Sequence, residues 1–226
     1  MEKQQILLLH GALGSKKQFT PLIKMLDKNF DVHSLDFSGH GEKEITTSFS
    51  MSLFMENVKS YVKEKGLDKI SIFGYSMGGY VALKLAASGE TFIHRIYTLG
   101  TKFDWSETST AMEVRKLNPE KIAEKVPHFA NSLEQEHGKN WKEVVRQTAK
   151  MMQRLSEKEH LTAADLNKIN TPVKILLGDH DEMVSKEKTL WAVEQLANAN
   201  FIQLEKCAHP LHKVPMEQLI KLIKDI

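Results

Sequence analysis

Short apolar runs alternate along this chain with longer stretches in which apolar residues recur every three or four positions, and the two spacings predict strands and helices respectively. Residues 5–9 (QILLL), 32–37 (VHSLDF), 69–74 (KISIFG), 92–100 (FIHRIYTLG), 173–178 (VKILLG) and 200–205 (NFIQLE) read as strands. Helical spacing runs near 18–28, 52–65, 77–87 and 215–226. Strands joined by helices need crossover connections, so the order predicts an α/β fold: a mostly parallel sheet of about six strands with helices on both faces. One interval breaks the alternation. Between 102 and 170 there is no strand signal, while Trp141, Val144, Val145, Thr148, Met151, Met152 and Leu155 recur at helical spacing and Pro127 interrupts an earlier helical stretch. That interval is expected to be a helical insertion above the carboxyl edge of the sheet, where open α/β folds bind ligands, and to act as a lid.

Composition narrows the picture. A chain of 226 residues fits one domain spanning 1–226, with the 102–170 insertion inside it. A net charge of +2, with no segment that gathers the basic residues into a stripe, argues against nucleic acid as a partner and leaves a small molecule. The single cysteine, Cys207, excludes an internal disulfide and suits a reducing compartment. The apolar run Ile6 to Leu9 is too short for a signal core or a membrane span, so no membrane association and a cytoplasmic location are expected. Nothing in the sequence sets the oligomeric state.

Gly74-Tyr75-Ser76-Met77-Gly78 has the form G-x-S-x-G. A nucleophilic serine on a sharp turn between strand and helix requires such neighbours, because side chains two residues to either side would collide. Alone, the pattern arises by chance easily. Here strand-like Ser71 to Phe73 precedes it and helix-like Gly79 to Leu85 follows, which is the setting the motif needs. The turn also puts Ser76 at a helix N-terminus, where the dipole and the Met77 amide favour an oxyanion.

With these residues in place the chain resembles the α/β-hydrolase superfamily, in its serine-nucleophile, esterase-like branch. Three further segments match in the family's order. His10-Gly11-Ala12-Leu13-Gly14 resembles the family's oxyanion loop and implies the amide of Ala12, with Leu13 next, as donors alongside Met77. Asp36-Phe37-Ser38-Gly39-His40-Gly41 resembles a D-x-x-G-x-G loop expected to be structural. Gly178 to Val184 resembles G-x-x-D-x-x-V and implies Asp181 as the triad acid, with Asp179 as competitor and Asp104 as a remote third. Cys207 to His212 resembles G-H-x-x-H and implies His209 as general base, with His212 non-catalytic. The chain departs from the pattern with Ala208 where glycine is usual. It also has only Met1 to Gln4 ahead of the first strand, so the family's leading antiparallel strand pair is expected to be missing.

The resemblance implies acyl transfer from a Ser76, Asp181 and His209 triad without metal or organic cofactor, acting on a carboxylic ester or related acyl compound. Leu13, Tyr75, Trp105 and Trp141 are the expected substrate contacts, with Phe103, Phe129, Met151 and Met152 as further candidates. An apolar stripe at helical spacing serves packing against the sheet equally well. His10, His180 and His209 have no zinc-ligand spacing. Two rival readings stand beside the esterase. His10 to Ser15 and Gly74 to Gly79 also resemble a menaquinone-pathway synthase, which would make the chain a lyase or carbon–carbon bond hydrolase; that enzyme has an arginine where this chain has Tyr80. A non-catalytic binder on the same scaffold is the other.

Overall fold

The computed structural model describes residues 3–224. Six strands, β1 (Gln4–Leu9), β2 (Phe30–Leu35), β3 (Ile70–Tyr75), β4 (Ile93–Leu99), β5 (Val173–His180) and β6 (Ala199–Ala208), form one sheet in the order β2-β1-β3-β4-β5-β6. Every pairing among the described residues is parallel, from Gln4 opposite Phe30 at one edge to Val173 opposite Ala199 at the other. All carboxyl ends therefore reach the same rim.

The helices are α1 (Thr20–Leu26), α2 (Met51–Lys65), α3 (Met77–Ala87), α4 (Glu107–Lys116), α5 (Pro119–Lys125), α6 (Pro127–His137), α7 (Trp141–Arg154), α8 (Ala163–Leu166), α9 (Lys186–Gln195) and α10 (Met216–Lys224). Strand alternation sorts the core into two layers. Leu7, Leu9, Ile70 and Ile72 face the side covered by α2 and α3, while Ile6, Leu8, Phe73 and Tyr75 face the side covered by α1 and α10. Both sets are buried, as continuous apolar strands of a sheet covered on two faces should be.

The expected strands are present with shifted ends. β2 stops at Leu35, two residues short of the reading, because the Phe37 amide turns aside to donate to His10 Nε2 at 3.1 Å. β5 and β6 run longer than expected because their pairing continues past Gly178 to His180 opposite Ala208. α9 is unforeseen: it buries only Thr189 and Ala192, too little to print an apolar stripe, although Ser185 caps it through the Lys188 amide. The expected helix 215–226 is seen as Met216–Lys224, and its last two residues lie outside the described ones.

Between β4 and β5 the chain is helical, from α4 to α8. Pro127 does not merely interrupt: it starts α6, at the helix position where the missing amide costs nothing. Several bonds tie this insertion to the body, three of them to Tyr80, Lys84 and Phe49. The Leu161 amide donates to Tyr80 Oη (2.5 Å), Lys84 Nζ donates to the Glu159 carbonyl (2.6 Å), and the Phe49 amide donates to Gln147 Oε1 (3.3 Å). Among the described residues no helix is long and apolar enough to cross a membrane.

Candidate active site

Ser76 is the single residue between β3 and α3, and its dihedral angles, φ 50° and ψ −112°, make the turn. Two contacts from β4 and the residues after it hold it: its amide donates to the Leu99 carbonyl (2.8 Å), and Thr101 Oγ1 donates to its carbonyl (3.0 Å). A side chain at Gly78 would run into the Leu9 carbonyl, so the helix can lie this close to β1 only with glycine there.

The ends of β5 and β6 bring the other two expected residues together. His209 Nδ1 lies 2.8 Å from Asp181 Oδ2, with both side chains nearly buried. A carboxylate only accepts, so Nδ1 carries the proton and Nε2 is left as the basic nitrogen. The other oxygen, Asp181 Oδ1, accepts from the amides of Met183 (2.9 Å) and Val184 (3.0 Å), which fixes the carboxylate's orientation. Asp179 goes elsewhere. It accepts from the backbone amides of Cys207 (2.9 Å) and Lys206 (3.0 Å), and these bonds hold its carboxyl below the usual range. Asp104 Oδ1 accepts from the Ser106 amide in a turn.

Two further groups support the pair: Gly100, which sequence reasoning did not single out, and Tyr75, which it expected only as a substrate contact. Gly100 has φ +61°, and a Cβ there would stand 3.1 Å from His209 Nδ1 and 3.2 Å from Asp181 Oδ2, so the pair rests directly on its backbone. Tyr75 Oη donates to the His209 carbonyl (3.0 Å), locking the histidine loop to the residue before Ser76; burial and the nearby Asp181 charge push its phenol pKa well up. Cys207 is buried, which raises its thiol to about 11 and suits a filler rather than a nucleophile.

Ser76 and His209 share the wall of a cavity of about 670 Å³ at the carboxyl rim. Leu13, Tyr75, Trp105, Phe129, Met151 and Met152 line it, together with Ala12 and Met77. Trp141, expected there, does not line it. It packs inside the insertion against Ile122, Ala130, Leu133 and Val145, and Phe103 is likewise buried in the sheet-side core. Met51, Met183 and the linked charges Lys102, Glu113 and Lys116 line the cavity unannounced by any local pattern.

Beside the cavity the loop after β2 serves as a brace. Asp36 Oδ1 accepts from the Lys16 amide (2.7 Å), and its other oxygen pairs with Lys16 Nζ (3.3 Å). His10, His40 and His137 cluster here, buried; burial lowers the His10 pKa to about 4 and holds the other two below the ordinary value. Among the described residues no three His, Cys, Asp or Glu side chains are grouped to hold a metal ion.

Residues 5–144 match the model of the alpha/beta hydrolase fold family, a span that includes β1 to β4 and the Ser76 turn. The chain belongs to this family. Among relatives of the α/β-hydrolase fold, serine hydrolase-like protein 2 of Homo sapiens is 25% identical over 223 residues, which cover 95% of this chain and 66% of that protein. A probable alcohol acetyltransferase of Wickerhamomyces anomalus is 33% identical over 86 residues, covering 37% of this chain and 25% of that protein. The chain thus spans from about a quarter to about two thirds of the length of the first curated relatives it matches. The crystal structure of the enol-lactonase from Burkholderia xenovorans superposes with a TM-score of 0.78 at 17% identity, covering all of this chain and 91% of that one, a likeness of fold.

Proposed function

We propose that this α/β-hydrolase is a serine hydrolase that cleaves a carboxylic ester or related acyl compound through an acyl-enzyme intermediate. The observation that carries the reading is the 2.8 Å pair of Asp181 and His209 on the same cavity as Ser76. In this scheme His209 Nε2 takes the Ser76 proton as Oγ attacks the substrate carbonyl, and Asp181 steadies the imidazolium. The amides of Ala12 and Met77 hold the oxyanion, a task suited to fixed backbone donors. The tetrahedral intermediate expels the alcohol, which leaves with the proton from His209. Water then attacks the acyl carbon as it gives a proton to Nε2, and the second tetrahedral intermediate collapses with that proton passing to Ser76 Oγ, which releases the acid and restores Ser76.

The largely apolar, methionine-rich wall suits a small to medium acyl group, since methionine side chains adapt to varied shapes. The insertion acts as the lid over that group, and the enzyme works on a small molecule in the cytoplasm. An alcohol in place of water as acyl acceptor is a second reading, favoured by the apolar wall and by the acetyltransferase name of one relative. The synthase-like reading is weaker, because Tyr80 is buried and its hydroxyl is engaged by the Leu161 amide.

The test is a series of activated esters from acetate to palmitate, with wild type and Ser76→Ala in parallel and a fluorophosphonate label located by peptide mass spectrometry. The rate should fall on the order of a million-fold in the variant. Labelling should fall on Ser76, and the series should peak below the long chains. Equal rates in the two proteins would overturn the reading, and added alcohol diverting product to a new ester would favour the second.

A further inference from the structure

We infer that Glu136 and His137, at the end of α6 in the helical insertion, are positioning residues that hold the oxyanion loop in its working shape; the inference rests on the proposed use of that loop. The loop is a tight turn. The Gly14 amide donates to the Gly11 carbonyl (3.2 Å), which makes Ala12 and Leu13 its two central residues. Leu13 has φ +59°, the positive value that a type II turn demands at its third position and that normally calls for glycine. A leucine there is strained, and relaxing to negative φ would rotate the peptide between Ala12 and Leu13, turning the Leu13 amide away and loosening the turn that carries the Ala12 amide.

Something must hold the strained form, and two adjacent residues of α6 do. The Gly41 amide donates to His137 Nδ1 (3.0 Å), and an amide can only donate, so Nδ1 is bare and the proton sits on Nε2. Nε2 then donates to the Leu13 carbonyl (3.0 Å). The ring is buried and both nitrogens are used, so the imidazole acts as a neutral bridge between the Leu13 turn and the Gly41 loop. One residue earlier, Glu136 accepts a hydrogen bond from the Ser15 hydroxyl. The insertion therefore grips the turn at Leu13 and at Ser15, and docking of the insertion and assembly of the oxyanion site become one event.

His137→Ala, His137→Gln and Glu136→Ala test this in the full chain. His137→Ala should lower kcat on a short activated ester by up to about a hundredfold while KM moves less than about threefold, because the turn acts on the charge that develops in the transition state. Glutamine spaces an acceptor and a donor much as the imidazole does, so His137→Gln should keep most of kcat. Glu136→Ala, at a half-buried position that leaves the core untouched, should give a smaller loss in the same direction. Hydrogen exchange of the backbone amides at 12–15 should quicken in His137→Ala, a readout that needs no activity. Unchanged exchange at 12–15 together with kcat within about threefold of wild type in both alanine variants would overturn the inference. Loss of the ester reading itself shows separately, as equal rates in wild type and Ser76→Ala.

Discussion

The floor and the roof of the cavity are built differently. On the floor, Ser76, Asp181 and His209 sit at strand ends, and each is tied to backbone or to another by bonds of 2.8 to 3.0 Å that leave little freedom. In the roof, Trp105, Phe129, Met151 and Met152 come from the β4–β5 insertion and touch the cavity through apolar surface alone or nearly so. Directional bonds fix atoms to fractions of an ångström, as bond-making chemistry requires, whereas apolar contact fixes only volume and suits a ligand of variable shape. The difference teaches where substitution should be severe and where it should be tolerated.

The sharpest way to break the comparison is within the floor. Asp181→Asn keeps the shape of the side chain but loses the carboxylate that sets the histidine's proton, so kcat should fall on the order of ten-thousand-fold. Asp179→Asn removes a carboxylate two residues away whose hydrogen bonds go to backbone amides, and steady-state kinetics should find kcat within about tenfold of wild type. If both variants lose activity equally, the assignment of roles at the end of β5 is wrong.

The seam between floor and roof predicts a subtler effect. His10, His40 and His137 meet there, neutral and buried, with folded pKa values below the ordinary 6.5 and, for His10, about 4. Below pH 6.5 the unfolded chain binds protons that the folded one refuses, so stability present above that pH drains away as pH falls towards about 4. For His10 alone the loss amounts to about 3 kcal/mol across that window. Glu136, Asp36 and Lys17 also act on His137, the two carboxylates favouring its charge and the lysine opposing it. Urea unfolding at a series of pH values should give a midpoint that falls through this window, and a flat profile would contradict a neutral seam.

Much of the floor was legible in the sequence because its residues lie on continuous apolar strands followed at once by short loops. The Ser76 turn, for instance, is announced by its own glycines. Asp179 and Asp181 were separated only by the family resemblance, since Asp179 lies near the end of β5, Asp181 just after it, and an ideal strand would place residues two apart on one face. A register irregularity between Gly178 and His180 sends them apart, and no local pattern encodes it. Trp141 misled for a different reason: helical spacing says that a face is buried but not against what, and here the partner is the insertion's own small core. The grip of His137 on Leu13 spans 124 positions and carries no motif, so only coordinates reveal it.

The dihedral angles of Ser76 set the interests of the fold against those of the chemistry. An L-residue at φ 50° and ψ −112° sits outside the comfortable regions at a cost of order 1–3 kcal/mol, whereas glycine occupies them freely. Ser76→Gly should therefore raise the unfolding free energy by up to about that amount, less the extra chain entropy glycine brings, and a lowered unfolding free energy would show that no strain is stored there. On the proposed mechanism, selection for stability alone would drift this position to glycine and remove the nucleophile, so chemistry and not the fold accounts for a serine there.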